Sequence, residues 1–187
     1  MIQETIVTTQ DAEGNTHIAP MGIHVAGDEY IILPFKPSIT LDNILATKTA
    51  VINYTDDVRV FAGCLTGRRD WPLERAEKID AYALSASLAH CEVKLTHTED
   101  DPVRPQLFCT AVHQVNHAPF KGYNRAQFSV LEAAILLSRV TRLSAAKINT
   151  ELEYLHIGFN KTAGPNEREA WEWITRAIEQ KLRESVN

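Results

Sequence analysis

The hydrophobic period changes once along this chain, and that change bounds what it can fold into. Up to about residue 120 the apolar runs are short, rich in Val, Ile and Thr, and bounded by Gly, Pro, Asn or Asp, the pattern of strands joined by turns. Beyond that point apolar residues recur at helical spacing, with start and stop signals for three helices. A chain of 187 residues, against about 150 per domain, reads as a β part over residues 1–120 and a helical part over 121–187. The fold class is mainly β with α.

Ile2 to Thr9 and Thr16 to Val25 are predicted strands around the turn Asp11 to Asn15, and Tyr30 to Leu33 is a third, stopped by Pro34 and Pro37. Leu41, Ile44 and Leu45 then recur at helical spacing, with Thr40 as the expected cap. Ala50 to Tyr54 and Val58 to Ala62 are predicted as two strands around Thr55-Asp56-Asp57, and Arg68 to Lys78 as a connecting loop. Strands follow at Cys91 to Thr96 and Leu107 to Val115. The helices run from about Asn124 to Val140, Ser144 to Phe159, and onward from Pro165, where proline at the first position forfeits no hydrogen bond.

Charge narrows the partners. The chain carries 19 basic and 24 acidic side chains, net −5, so no global basic field attracts a polyanion and nucleic acid is not expected. Residues 1–120 hold 9 basic and 16 acidic side chains, whereas residues 121–187 hold 10 and 8. No segment spans a bilayer, and no signal-like opening is seen, so the cytosol is expected. Cys64, Cys91 and Cys109 are widely spaced without a CxxC, which indicates neither a disulfide framework nor a zinc knuckle.

Nucleophile and metal signals are weak. Among the seven histidines there is no HxH, and the single HxxxH pair, His113 and His117, lies on a strand ending and does not converge as it would on a helix. Cys64 has Arg68 and Arg69 nearby, which would lower a thiol pKa, against the plainer reading of a packed thiol. No catalytic side chain and no metal ligand is assigned.

Two junctions suit an anion. In Pro34 to Asn43, Lys36, Ser38 and Thr40 stand at a helix start, where free amides and the dipole favour phosphate; the plainer reading makes Ser38 and Thr40 caps and leaves Lys36 solvated. In Phe120 to Arg125 a glycine loop brings Lys121 and Arg125 to another helix start, where an arginine forks onto phosphate; otherwise it is exposed or pairs with an acid of residues 1–120. Thr16 to Gly22 combines small residues with a proline, against which a flat ring would lie; a simple edge strand is the alternative.

With these residues the chain resembles flavin-binding split-barrel proteins, relatives of flavin reductases and pyridoxamine phosphate oxidase. The resemblance rests on Gly14-Asn15, His17 to Gly22, Thr40-Leu41-Asp42-Asn43 and Val51-Ile52-Asn53 in that order. It is closer still to an uncharacterised FMN-binding subfamily sharing Phe120 to Ala126 and Lys161 to Pro165. The resemblance implies a six-stranded FMN-binding split barrel followed by a three-helix region, in a homodimer with FMN near the interface. It implies that the phosphate meets Lys36, Ser38, Thr40 and Asn43, that the ring lies against Pro20, Met21 and Gly22, and that Asn53 lines the site. Asn124 and Arg125 are added as phosphate contacts from their charge and loop context.

The expected function is an FMN-dependent oxidoreductase passing electrons from a reduced nicotinamide or another donor to an acceptor the sequence does not specify. The alternative is a non-catalytic flavin-binding dimeric module serving as a partner in a biosynthetic pathway, which the helical tail favours. Haem or a deazaflavin in the same slot is a third reading, and haem ranks last, since no Tyr, Cys or His stands out as an axial ligand.

Overall fold

The computed structural model describes residues 1–184. In chain order the elements are β1 (Ile2–Gln10), β2 (Thr16–Ala26), β3 (Glu29–Ile32), α1 (Ile39–Thr47), β4 (Thr49–Tyr54), α2 (Val58–Leu65), β5 (Leu73–Arg75), β6 (Tyr82–Leu84), β7 (Ala89–Glu99), β8 (Gln106–Asn116), α3 (Arg125–Ser138), α4 (Ala145–Thr162) and α5 (Pro165–Glu184). They group into two compact units. One comprises Met1–Thr55 with Trp71–Phe120, and the other Asp56–Asp70 with Lys121 onward.

The first unit is a closed six-stranded barrel in the order β1-β2-β3-β8-β7-β4, with every neighbouring pair antiparallel. Closure gives each of the six strands a neighbour on both sides. The interior holds Val7, Ile23, Ile52, Cys91, Val93 and Leu107, together with Leu41 and Ile44 of α1. On β4 alternate residues serve two cores: Ala50 and Ile52 face the interior, whereas Val51 packs outside with Ala76, Ile79, Ala81 and Ala83. Residues 71–88, including the β5-β6 ribbon, thus cover that stretch of wall. Double-sided burial explains why β4 reads as a continuous apolar run rather than an alternating one.

The second unit has its own core. Ala126, Val130, Ala133, Ala134 and Leu137 of α3 form the predicted stripe and meet Ile148, Leu155 and Phe159 of α4 and Trp171, Ile174 and Ile178 of α5. Asn124, Ser144 and the Gly164-Pro165 step set the three helix starts. Among the described residues no helix is long and apolar enough to cross a membrane.

Three expectations change. Val58 to Ala62 is not a strand but the start of α2: Asp57 caps it by accepting from the Arg59 N–H, and Val58, Ala62 and Leu65 lie on one helical face in the core of the helical unit. Burial of that face overrides the β preference of two valines and a phenylalanine. The helix cap of α1 is Ser38, whose Oγ accepts from the Leu41 N–H at 3.3 Å, while Thr40 lies inside the first turn and is buried. Part of the expected loop, Leu73–Arg75, pairs as β5 with Tyr82–Leu84.

Candidate functional site

The junction of β3 and α1 is clasped to the loop between β7 and β8. Lys36 Nζ lies 2.6 Å from Asp100 Oδ1, the Lys36 N–H donates to Val103 O at 2.9 Å, and Arg104 Nε donates to Leu33 O at 3.0 Å. The Arg104 guanidinium also sits 5.0 Å from the centre of the Phe35 ring. Lys36 holds the Asp100 carboxyl below the usual range, by hydrogen bond and by charge. At the start of α1 the Ile39 and Thr40 N–H groups find no acceptor among the described residues. An anion arriving here meets open amides and the positive end of the helix, but must displace Asp100 from Lys36.

Deeper in the same helix, Thr40 is 1% and Asn43 5% exposed. Asn43 Nδ2 donates to Thr9 Oγ1 at 3.0 Å, fixing α1 to β1. Of the four residues grouped here from the sequence, Lys36 and Ser38 are at the surface edge and Thr40 and Asn43 belong to the wall.

Pro20, Met21 and Gly22 on β2 pair with Ile6, Thr5 and Glu4 on β1 and are half-buried. Thr5 Oγ1 donates to Met21 O at 3.0 Å, which leaves that strand step polar-satisfied. A Cβ on Gly22 would lie 3.2 Å from Ile2 Cγ2 and 3.6 Å from Glu4 Oε1. The group that exploits this glycine is therefore the chain's own Ile2.

Asn53 is 0% exposed, and its Nδ2 lies within hydrogen-bond distance of Ile6 O, Thr8 Oγ1 and Val51 O, while its Oδ1 accepts from the Leu84 N–H and from Ser87 Oγ. It joins β4 to β1 and to the covering segment.

In the helical unit Asn124 caps α3, accepting from the Ala126 N–H at 2.8 Å and donating to Thr162 O at 3.2 Å. Arg125 is exposed at the first helical position and borders a cavity of about 130 Å³ with Phe128, Ser129, Tyr154, Leu155, Ile157 and Gly158. A Cβ on Gly158 would meet Ser129 Oγ at 3.4 Å, so the glycine sets how closely α3 and α4 cross. Ligand clefts usually measure about 300–1,000 Å³; this one suits a phosphate-sized group rather than a ring system.

Polar groups that sequence reasoning passed over lie on the outer face of β7 and β8. Glu92, fully buried, accepts from three consecutive backbone N–H groups, those of Glu77, Lys78 and Ile79, at 2.7, 2.8 and 3.0 Å. His90 stands two residues before it, and its Nδ1 lies 2.8 Å from His117 Nε2. The period-two spacing of His90 and Glu92 was the available signal, since it puts both on one strand face. Their partners come from residues distant in sequence. Inside the barrel, burial raises the Tyr30 and Tyr54 hydroxyls above their ordinary range beside Cys91.

Comparison with known proteins places this geometry. A family model described as the N-terminal domain of DUF447, a protein of unknown function, matches residues 3–118, and the DUF447 model that follows it matches residues 124–176. The chain belongs to the DUF447 family. Among solved structures, the FMN-bound DUF447 protein MM1853 from Methanosarcina mazei superposes with a TM-score of 0.82 at 20% identity, over 94% of each chain. The barrel alone is shared more widely. The 2-nitrobenzoate 2-nitroreductase NbaA of Pseudomonas fluorescens gives a TM-score of 0.55 at 21% identity over 61% of this chain and 64% of that one. Nitrilotriacetate monooxygenase component B of Mycobacterium thermoresistibile gives 0.55 at 18%, over 64% and 72%. This DUF447 chain thus has a split barrel common to flavin-related enzymes, joined to a helical part that the DUF447 protein of M. mazei also covers.

Proposed function

We propose that this DUF447 protein binds FMN and acts as a flavin-dependent oxidoreductase, taking electrons from a reduced nicotinamide or another donor, in a homodimer with the flavin near the interface. The observation that carries this reading is the superposition with the FMN-bound family member over 94% of both chains. The barrel likeness to a nitroreductase and a monooxygenase component supports redox work rather than storage.

The residues present suit the cofactor's anionic end best. The open amides at the start of α1, with Lys36 beside them, would take the phosphate, and Lys36 would exchange Asp100 for it. The small, half-buried face of β2 at Pro20 to Gly22 would take the ring. Arg125 is proposed as a phosphate ligand from its charge and its open cavity alone. When bound, FMN supplies the redox chemistry; the chain's part is to anchor, orient and shield it.

A second reading, a non-catalytic flavin-binding module, is favoured by the separate core of the helical unit, which a simple reductase does not need. Turnover separates the two. Purified protein should be yellow, release a compound with the mass of FMN, and oxidise NADH or NADPH faster than free FMN does. A colourless protein that takes up no added FMN would remove the cofactor assignment. Bound FMN without turnover with any donor would favour the binding module.

A further inference from the structure

The outer face of β7 and β8 carries a cluster that the flavin reading does not use. His90, side chain 6% exposed, sits between Glu92, side chain 0% exposed, and the exposed His117. His90 Nε2 lies 3.5 Å from Glu92 Oε1 and has no hydrogen-bond partner, while His90 Nδ1 lies 2.8 Å from His117 Nε2, with the rings stacked at 5.0 Å. We propose that Glu92, His90 and His117 form a proton relay that leads from a buried carboxylate to solvent, with His117 as the residue that exchanges a proton with solvent.

The direction of the relay follows from Glu92. Three backbone N–H groups converge on its oxygens and keep it an anion in spite of burial. An anion accepts but does not donate, so the His90 nitrogen facing it is favoured as Nε2–H. That leaves the lone pair on His90 Nδ1, and the short contact to His117 then requires His117 Nε2–H as donor. His117 Nδ1 is thereby left with its lone pair, on a residue exposed to solvent. A proton accepted at Nδ1 pushes the Nε2 proton toward His90 Nδ1, and the positive charge is shared toward Glu92. This is the logic by which a buried carboxylate orients an imidazole for acid–base and nucleophilic work.

The surroundings support this direction. The other groups facing the relay are His113, paired with Glu92 in strand register, and Glu77, whose Oε2 lies 3.3 Å from His113 Nε2. Burial, together with the charges of His117 and His113, pushes the His90 imidazole below its ordinary range against the opposing pull of Glu92. The His117 and Ala118 N–H groups both donate to Leu88 O, at 2.8 and 3.1 Å, which fixes the end of the relay to the start of β7.

The test uses the whole protein without cofactor, so it stands or falls independently of the flavin reading. In nitrogen-15 spectra at neutral pH, His90 and His117 should both show the Nε2–H tautomer, with scalar coupling between His90 Nδ1 and His117 Nε2. An Nδ1–H tautomer at His90, or absence of the coupling, overturns the relay. Diethyl pyrocarbonate should acylate His117 several-fold faster than His156, an exposed histidine of the helical unit. In His90→Gln or His90→Phe, checked for folding by circular dichroism, that excess should vanish. Equal rates in the unaltered protein, or an excess that survives both substitutions, would also overturn it.

Discussion

Asn53 Oδ1 accepts the Leu84 N–H at 2.7 Å across the barrel wall. One side chain thereby satisfies the backbone of the segment that covers β4 and, through Nδ2, binds to β1. Asn53→Ala leaves a buried N–H without its acceptor and should cost about 2–4 kcal/mol. Urea unfolding measures this. A loss within experimental error would mean that the segment 71–88 is held by its apolar contacts alone.

Acid should destabilise the fold in two stages. Burial alone would raise the Glu92 carboxyl, but the Glu77 and Lys78 N–H groups, His90 and His113 outweigh it and hold it below its ordinary 4.5. Below that pH the unfolded chain takes a proton that the folded chain refuses, so stability falls as pH drops toward the folded value. His90, held below its ordinary 6.5 mainly by burial, acts in the same direction at higher pH: the unfolded chain protonates first below 6.5. Urea midpoints measured from pH 8 down to 3 should decline from about pH 6.5 and again below 4.5. Glu92→Gln should remove the lower stage.

The cysteines should be inert in the folded protein. Burial pushes the Cys64 thiol up to about 11, more than nearby Arg69 lowers it, and pushes Cys109 up to about 12. Cys91 is also raised by burial. Reactivity follows the thiolate. Ellman's reagent at pH 8 should label none of Cys64, Cys91 and Cys109 within minutes in buffer and all of them in denaturant. Rapid labelling of Cys64 in buffer would revive it as a nucleophile.

Lys36 and Asp100 test the phosphate site without disturbing the fold. Exposed ion pairs contribute little to stability, so Asp100→Ala should leave the melting temperature unchanged. It also frees Lys36, so FMN should bind more tightly, whereas Lys36→Ala should weaken binding. Fluorescence titration of FMN reads both. Affinity that ignores both substitutions would exclude this junction as the phosphate site.

Arg125→Ala addresses the helical unit. Arg125 is exposed and stands outside that unit's core, so the helical content should be retained while FMN affinity falls. Unchanged affinity by isothermal titration would reject Arg125 as a phosphate ligand.

Much of the barrel and the whole order of helices α3 to α5 could be read from the chain, because those signals are local. The turn at Asp11 to Asn15 is closed by Asp11 itself, whose carboxylate accepts from the Glu13 and Asn15 N–H groups. Ser38, Asn124 and Ser144 cap the helices that follow them. The candidate anion junctions were visible for the same reason, as helix starts beside a cation. Their pairing was not visible: Asp100 lies 64 residues from Lys36, and only folding brings that carboxylate to the lysine.

The sequence by itself determined where strands turn, where most helices begin, and which faces are apolar, since these depend on a few neighbouring residues and on backbone sterics. Tertiary structure decided the rest. It made Val58–Leu65 a helix by burying one face in the helical core. It closed Asn53 into the wall, and antiparallel pairing with the following loop brought His117 to His90. A side chain's chemistry depends on which groups desolvate and contact it, and those contacts exist only once distant segments pack together.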